Sequence, residues 1–149
     1  KTSTFQDPPH RFEAGTPHIA GVIGLAEAVR YIQEIGMNRI GSHEKELLSY
    51  AYERLALLKG IHILGPRDHK KRSGVIAFTF DTIHPHDVGS FVAQDGIMIR
   101  VGDHCAKPLH KKLGIAASSR ISISIYTDRD DIDAVFDSLG RMINVFTSS

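Results

Sequence analysis

From Arg120 to Tyr126 the chain alternates without a break. Ile121, Ile123 and Ile125 fall on one side, and Arg120, Ser122, Ser124 and Tyr126 on the other. A period of two marks a strand with one face in a core and the other toward water. The pattern commits this part of the chain to a sheet with one polar face, and it puts Arg120 on that face at the strand's start. Residues 61–64, 75–80 (Val75, Ala77, Phe78, Phe80) and 97–100 are the other predicted strands.

Helical spacing fills the rest. Residues 18–35 predict a helix closed by Gly36, with Ile19, Val22, Ile23, Leu25, Ala26, Val29 and Ile32 covering more than one stripe. A helix apolar on most sides is normally buried on most sides. A second helix is expected from Asn38 to about Lys59, ended by Gly60. A third spans 82–95 with Pro85 in its first turn. The last is capped by Thr127, with Asp130 completing a box-like start and Asp128 in the first turn. Ile132, Val135, Phe136, Leu139, Ile143 and Phe146 form its apolar stripe. The fold class predicted is α+β: a small, mostly antiparallel sheet with helices on one face, preceded by two helices.

With 149 residues the chain suits one domain. Residues 1–17, carrying Pro8, Pro9 and Pro17 without periodicity, read as an extended segment ahead of a domain over 18–149. A net charge of +1 argues against a nucleic-acid partner. The charged run RDHKKRS reads as a solvated hairpin loop. No stretch approaches the roughly 18 apolar residues of a membrane span, and nothing at the start resembles a signal peptide. A single cysteine excludes an internal disulfide and fits a reducing, cytoplasmic setting. The opening KTSTFQDPP, without methionine, reads as a piece cut from a longer protein.

That cysteine, Cys105, lies in GIMIRVGDHCAKPLHKKLGIAASSR, where an apolar stretch runs into a Gly102 turn and then a short helix that opens around Pro108. Proline favours a first helical turn, so the thiol falls near a helix start, with Arg100, His104 and Lys107 close by. Cationic surroundings favour the nucleophilic thiolate. On the residues alone two readings stay open: a reactive thiol, or a small buried hydrophobe without chemistry. A zinc site from His84, His86, His104 and Cys105 has acceptable ligand types but no CxxC or HExxH spacing, and no metal is expected. Arg120 alone is a strand-edge charge, and Gly15-Thr16-Pro17 a turn before the first helix.

The motifs RFEAGTP, RVGDHCAKPL and RISISIYT, in that order, resemble the C-terminal part of a SUF-type cysteine desulfurase, a pyridoxal-phosphate enzyme related to class V aminotransferases. The resemblance runs from about Arg11 to the end. It implies the C-terminal domain of a fold-type-I transferase and an enzyme that takes sulfur from L-cysteine. The products would be L-alanine and a Cys105 persulfide, passed to a sulfur-acceptor protein of iron-sulfur assembly. It further implies that Arg120 clamps the substrate carboxylate, that Arg100 and His104 support the thiol loop, and that Thr16 holds the cofactor phosphate of the other subunit in a homodimer. The short Arg-x-Gly-x-His-Cys run favours the SUF branch over the branch with a serine-rich loop. Asp103 stands where many relatives carry a second histidine. No segment like SHKxxGP, the family's Schiff-base lysine motif, occurs, so the piece alone is expected to be inactive. A non-catalytic α+β module and a selenocysteine lyase are the alternatives. Lys107, His110, Lys111 and Lys112 form the cationic cluster nearest the thiol, and two readings stay open for it: a solvated helix face, or the place where an acceptor docks.

Overall fold

A computed structural model describes residues 2–147, apart from the side chain of His69. The chain forms two compact units, one up to Arg39 and one from Ile40 onward.

In the first unit an extended segment, interrupted by a 3-10 turn at His10–Phe12, leads into α1 (Ile19–Ile35). His18 stands at its N-cap. Gly36 ends it with φ 90°, a backbone conformation that glycine adopts without a Cβ clash. No residue of α1 is buried, and Val22, Ile23 and Leu25 are each more than 60% exposed. The apolar excess read in this helix therefore lies at the surface of its own unit. α2 (Met37–Ala56) follows and contributes its apolar face to the second unit.

The second unit is built on a four-stranded sheet, β1 (Ile61–Ile63), β2 (Val75–Phe80), β3 (Arg100–Gly102) and β4 (Ser118–Ser122), in the order β1-β2-β4-β3. Every pairing is antiparallel. Ile76, Phe78 and Phe80 of β2 and Ile121 of β4 share one face. There they meet Leu47, Leu48, Ala51 and Leu55 of α2, Val88 and Val92 of α3 (Pro85–Gln94), and Ile132, Leu139 and Met142 of α5 (Arg129–Thr147). The α+β architecture expected from the alternation is the one observed. The other face carries Ala77, Ser118, Arg120 and Arg100, by strand alternation and register. It is this face that receives the thiol loop and α4 (Lys107–Leu113).

Several boundaries differ from expectation, each for a local reason. β3 begins at Arg100, where it was expected to end. Gly96, at φ 77°, and the bond from Ile97 N to Val92 O close α3. Residues 97–99 then run extended without a ladder, leaving Met98 88% exposed, because pairing starts only where Arg120 offers a partner to Arg100. β4 starts two residues early and stops at Ser122, opposite Val75. The alternation in burial continues through Ile123 (buried) and Ser124 (exposed), so polarity marks the face correctly beyond the ladder's end. α2 ends at Ala56, after which Leu57 and Leu58 make tight i→i−3 bonds before Gly60. α3 starts at Pro85 rather than residue 82, with the His84 Nδ1 accepting from His86 N. The cap of α5 is displaced by one residue. Asp128 Oδ1 accepts from Asp131 N and Asp131 Oδ2 from Asp128 N, a reciprocal box; Thr127 Oγ1 instead accepts from Ser124 N and closes the preceding turn.

Candidate functional site

The β3–β4 ladder sets Arg100 directly opposite Arg120, and Gly102 opposite Ser118. Like charges facing across a strand pair repel. Here both lie on the polar face, and the Arg120 Nε is buried without a hydrogen-bond partner. Two guanidiniums held together with an unused donor fit an anion, and a carboxylate matches their planar forks.

Past Gly102 the chain turns sharply. His104 (φ 54°) and Cys105 (φ 61°) are consecutive left-handed residues without being glycine. That conformation is disfavoured by the Cβ and has to be held by its surroundings. Asp103 does part of this: its Oδ1 accepts from Cys105 N at 3.1 Å, and its carbonyl from Ala106 N at 2.8 Å. The carboxylate at position 103 is therefore a turn-former here. The turn presents Cys105 as an exposed thiol, one residue before the Ala106 N-cap of α4. Arg100 reaches back from β3, its Nη2 3.1 Å from Cys105 Sγ. A guanidinium donating to sulfur stabilises the thiolate over the thiol. The bland reading of Cys105 as a buried hydrophobe does not survive this exposure.

Behind the thiol lies a polar cluster. His104 Nε2 is 2.9 Å from Ser118 Oγ, and His110 Nε2, from α4, is 3.0 Å from the same oxygen. His110 Nδ1 lies 3.2 Å from the Ala106 carbonyl. His104 Nδ1 is buried without a partner. Burial, followed by the positive charges of Arg120, His110 and Arg100, holds His104 below the ordinary imidazole range, so the neutral ring is favoured.

The structure thus brings Cys105, Arg100, His104 and Arg120 to one end of the β3–β4 pair. Thr16 belongs to the first unit, where it is exposed two residues before the N-cap of α1. Ser118 and His110 were missed by the sequence reading. His110 was counted among exposed cations, yet it is 5% exposed; Lys107, Lys111 and Lys112 do face solvent. Ser118 had a usable signal, since it sits two residues from Arg120 and so on the same strand face. His84 and His86 stack on each other at 5.3 Å, and among the described residues no three metal-ligating side chains converge.

Every described lysine is exposed; Lys59 borders a pocket lined by Gly60, Phe80 and Ile143, which holds none of Cys105, Arg100, His104 and Arg120. The described residues therefore do not fit the Schiff-base end of the pyridoxal phosphate that the resemblance implies. What they do offer is an unused guanidinium donor beside an exposed thiol.

Comparison with known proteins points the same way. The chain is 46% identical over 145 residues, 97% of its length, to a probable cysteine desulfurase of Staphylococcus epidermidis. It is 44% identical over 144 residues to a cysteine desulfurase of Haloferax volcanii. Among solved structures, apo cysteine desulfurase from Thermococcus onnurineus superposes with a TM-score of 0.87 at 39% identity, covering 95% of this chain and 35% of that one. The chain spans about a third of the length of these relatives (35% of the first and 34% of the second). The family model of class V aminotransferases matches residues 1–135, and this chain belongs to that family.

Proposed function

We propose that this chain is the C-terminal portion of a SUF-type cysteine desulfurase, in which Cys105 takes sulfur from L-cysteine. The observation that carries the reading is the Arg100–Arg120 pair. One guanidinium donates to the Cys105 sulfur, while the other offers an unused buried donor beside it. Arg120 binds the substrate carboxylate and so places the substrate sulfur toward Cys105. Arg100 donates to the Cys105 sulfur and holds it beside Arg120. The Cys105 Sγ attacks the substrate sulfur. A sulfur–sulfur bond forms as the substrate Cβ–S bond breaks, the bonding pair stays on carbon, and that carbon takes a proton to leave as L-alanine. Pyridoxal 5'-phosphate, held by other parts of the full-length protein, supplies the electron sink for that pair. Thr16 is the residue of this chain assigned to its phosphate, across a homodimer.

The Cys105 persulfide is then handed to a sulfur-acceptor protein of iron-sulfur assembly in the cytoplasm. Among the described residues no helix is long and apolar enough to cross a membrane. Exposed Lys107, Lys111 and Lys112, on the helix directly after the thiol, support an acidic rim on the acceptor. Such docking is salt-sensitive, so acceptor-stimulated turnover should lose its salt dependence in Lys111→Glu/Lys112→Glu.

The test is mass analysis of the full-length protein after brief exposure to L-cysteine. Cys105 should gain one sulfur atom, reversibly to reductant, with one alanine released per sulfur. Cys105→Ser should release no alanine on this timescale. Alanine release undiminished in Cys105→Ser would exclude Cys105 as the acceptor of sulfur.

A further inference from the structure

The cluster behind the thiol loop has only one consistent assignment of hydrogens when both rings are neutral. The Ala106 carbonyl can only accept, so His110 Nδ1 carries hydrogen and donates to it across 3.2 Å. His110 Nε2 is then a bare acceptor and takes the hydroxyl hydrogen of Ser118 at 3.0 Å. Ser118 has no second hydrogen to give. Its oxygen must therefore accept from His104, whose Nε2 carries hydrogen at 2.9 Å. By elimination His104 Nδ1 is unprotonated, and it is the atom found buried and without a partner.

We propose that Ser118 and His110 are positioning residues. They lock His104 as the Nε2–H tautomer and through it hold the left-handed turn that presents Cys105. Both act through His104 rather than on any substrate. Ser118 is wholly buried and His110 nearly so. Two buried polar side chains are costly unless each is satisfied, and here each is satisfied only through the chain of bonds ending at His104.

The titratable and charged groups facing His104 are Arg100 from β3, Arg120 from β4 and neutral His110 from α4, with Asp103 and Cys105 beside it in its own loop. The two guanidiniums oppose an imidazolium, so the neutral Nε2–H ring is the form that the bond to Ser118 holds. Resting on the desulfurase reading, a His104 fixed in this way keeps the Cys105 turn set for sulfur attack.

The test combines a spectrum with a rate, in full-length protein labelled with 15N at histidine. The wild-type His104 should show Nε2 protonated and Nδ1 bare at neutral pH, read from long-range nitrogen–proton correlations. Ser118→Ala should lose this single-tautomer signature, and Ser118→Thr, which restores the hydroxyl, should regain it. His110→Gln, whose amide oxygen can still accept from Ser118, should keep it, whereas His110→Leu should not. Formation of the Cys105 persulfide should fall about tenfold or more in Ser118→Ala and recover in Ser118→Thr. A wild-type spectrum with hydrogen on His104 Nδ1 would overturn the assignment whether or not any variant folds. An unchanged persulfide rate in a Ser118→Ala protein of altered tautomer would overturn the positioning role. Absence of persulfide in the wild type would instead count against the desulfurase reading, while the spectrum still decides the tautomer.

Discussion

Arg100 and Arg120 face each other across two strands. Two opposed guanidiniums cost stability in the absence of an anion, so the pair makes sense as a site tuned for binding. Arg120→Ala in the full-length protein should raise the concentration of L-cysteine needed for half-maximal turnover by roughly 10- to 100-fold. That is the worth of about 1.5–3 kcal/mol for a hydrogen bond to a charged group. The same change should leave thermal stability level or slightly raised, because it removes a repulsion. A half-saturating concentration within twofold of wild type would remove Arg120 from carboxylate binding. His104 offers a second test at this scale. Its folded-state pKa lies below the ordinary value of 6.5, because burial comes first and the nearby cations add to it. Between the folded value and 6.5 the unfolded chain binds more proton than the folded one, so stability rises with pH across that window and is lost as pH falls through it. Denaturant unfolding from about pH 5 to about pH 7.5 should show this rise, and His104→Asn should flatten it. Equal slopes in the two proteins would mean that His104 titrates normally.

Elements were legible in the sequence to the extent that their signals were periodic. The alternation from residue 120 onward assigned Arg120 to the polar face correctly, because side-chain direction depends only on parity along the strand. It could not say where pairing stops, because that depends on the partner: β2 begins at Val75, and β4 ends opposite it at Ser122. β3 was misplaced for the same reason, since Ile97, Met98 and Ile99 look like a strand but find no ladder. Cys105, Arg100 and His104 were legible because they are close in sequence. Ser118 shared the face of Arg120 by parity, but its link to His104 and His110 was not legible, because they join only when the β3–β4 register brings Gly102 beside Ser118. The cap of α5 was misread by one residue, since Thr127 and Asp128 are both good cap residues and only geometry chooses between them. Here the geometry gives a measurable difference. Asp128→Ala should cost about 0.5–2 kcal/mol, as it removes the Oδ1 that accepts from Asp131 N at the helix start, while Thr127→Ala loses one turn bond outside the helix and should cost less. Urea denaturation of the two variants compares them directly. A larger loss for Thr127→Ala would return the cap to Thr127.

At the scale of the whole molecule, the proposed reading divides the chemistry between this chain and the rest of a longer protein. The second unit packs an ordinary core: Ile76, Phe78, Leu139 and Met142 are each fully buried. On the opposite face of its sheet stands a thiol with a guanidinium at the sulfur. Every described lysine is exposed. A desulfurase needs both halves, because a thiolate can take sulfur only if the carbon left behind has somewhere to put its electrons. This division predicts two separable behaviours. Mixed with pyridoxal phosphate, L-cysteine and borohydride, the 149-residue chain should release no alanine and retain no stoichiometric, site-specific lysine adduct. Its Cys105 should nevertheless alkylate faster than a simple peptide thiol at neutral pH, and Arg100→Ala should slow it, because the Arg100–sulfur contact lies wholly within the second unit. The full-length protein under the same conditions should fix one cofactor per chain and release alanine. A stoichiometric adduct on any lysine of the short chain, found by peptide mapping, would show that the electron sink resides here after all, and would relocate the catalytic centre to the lysine that carries it.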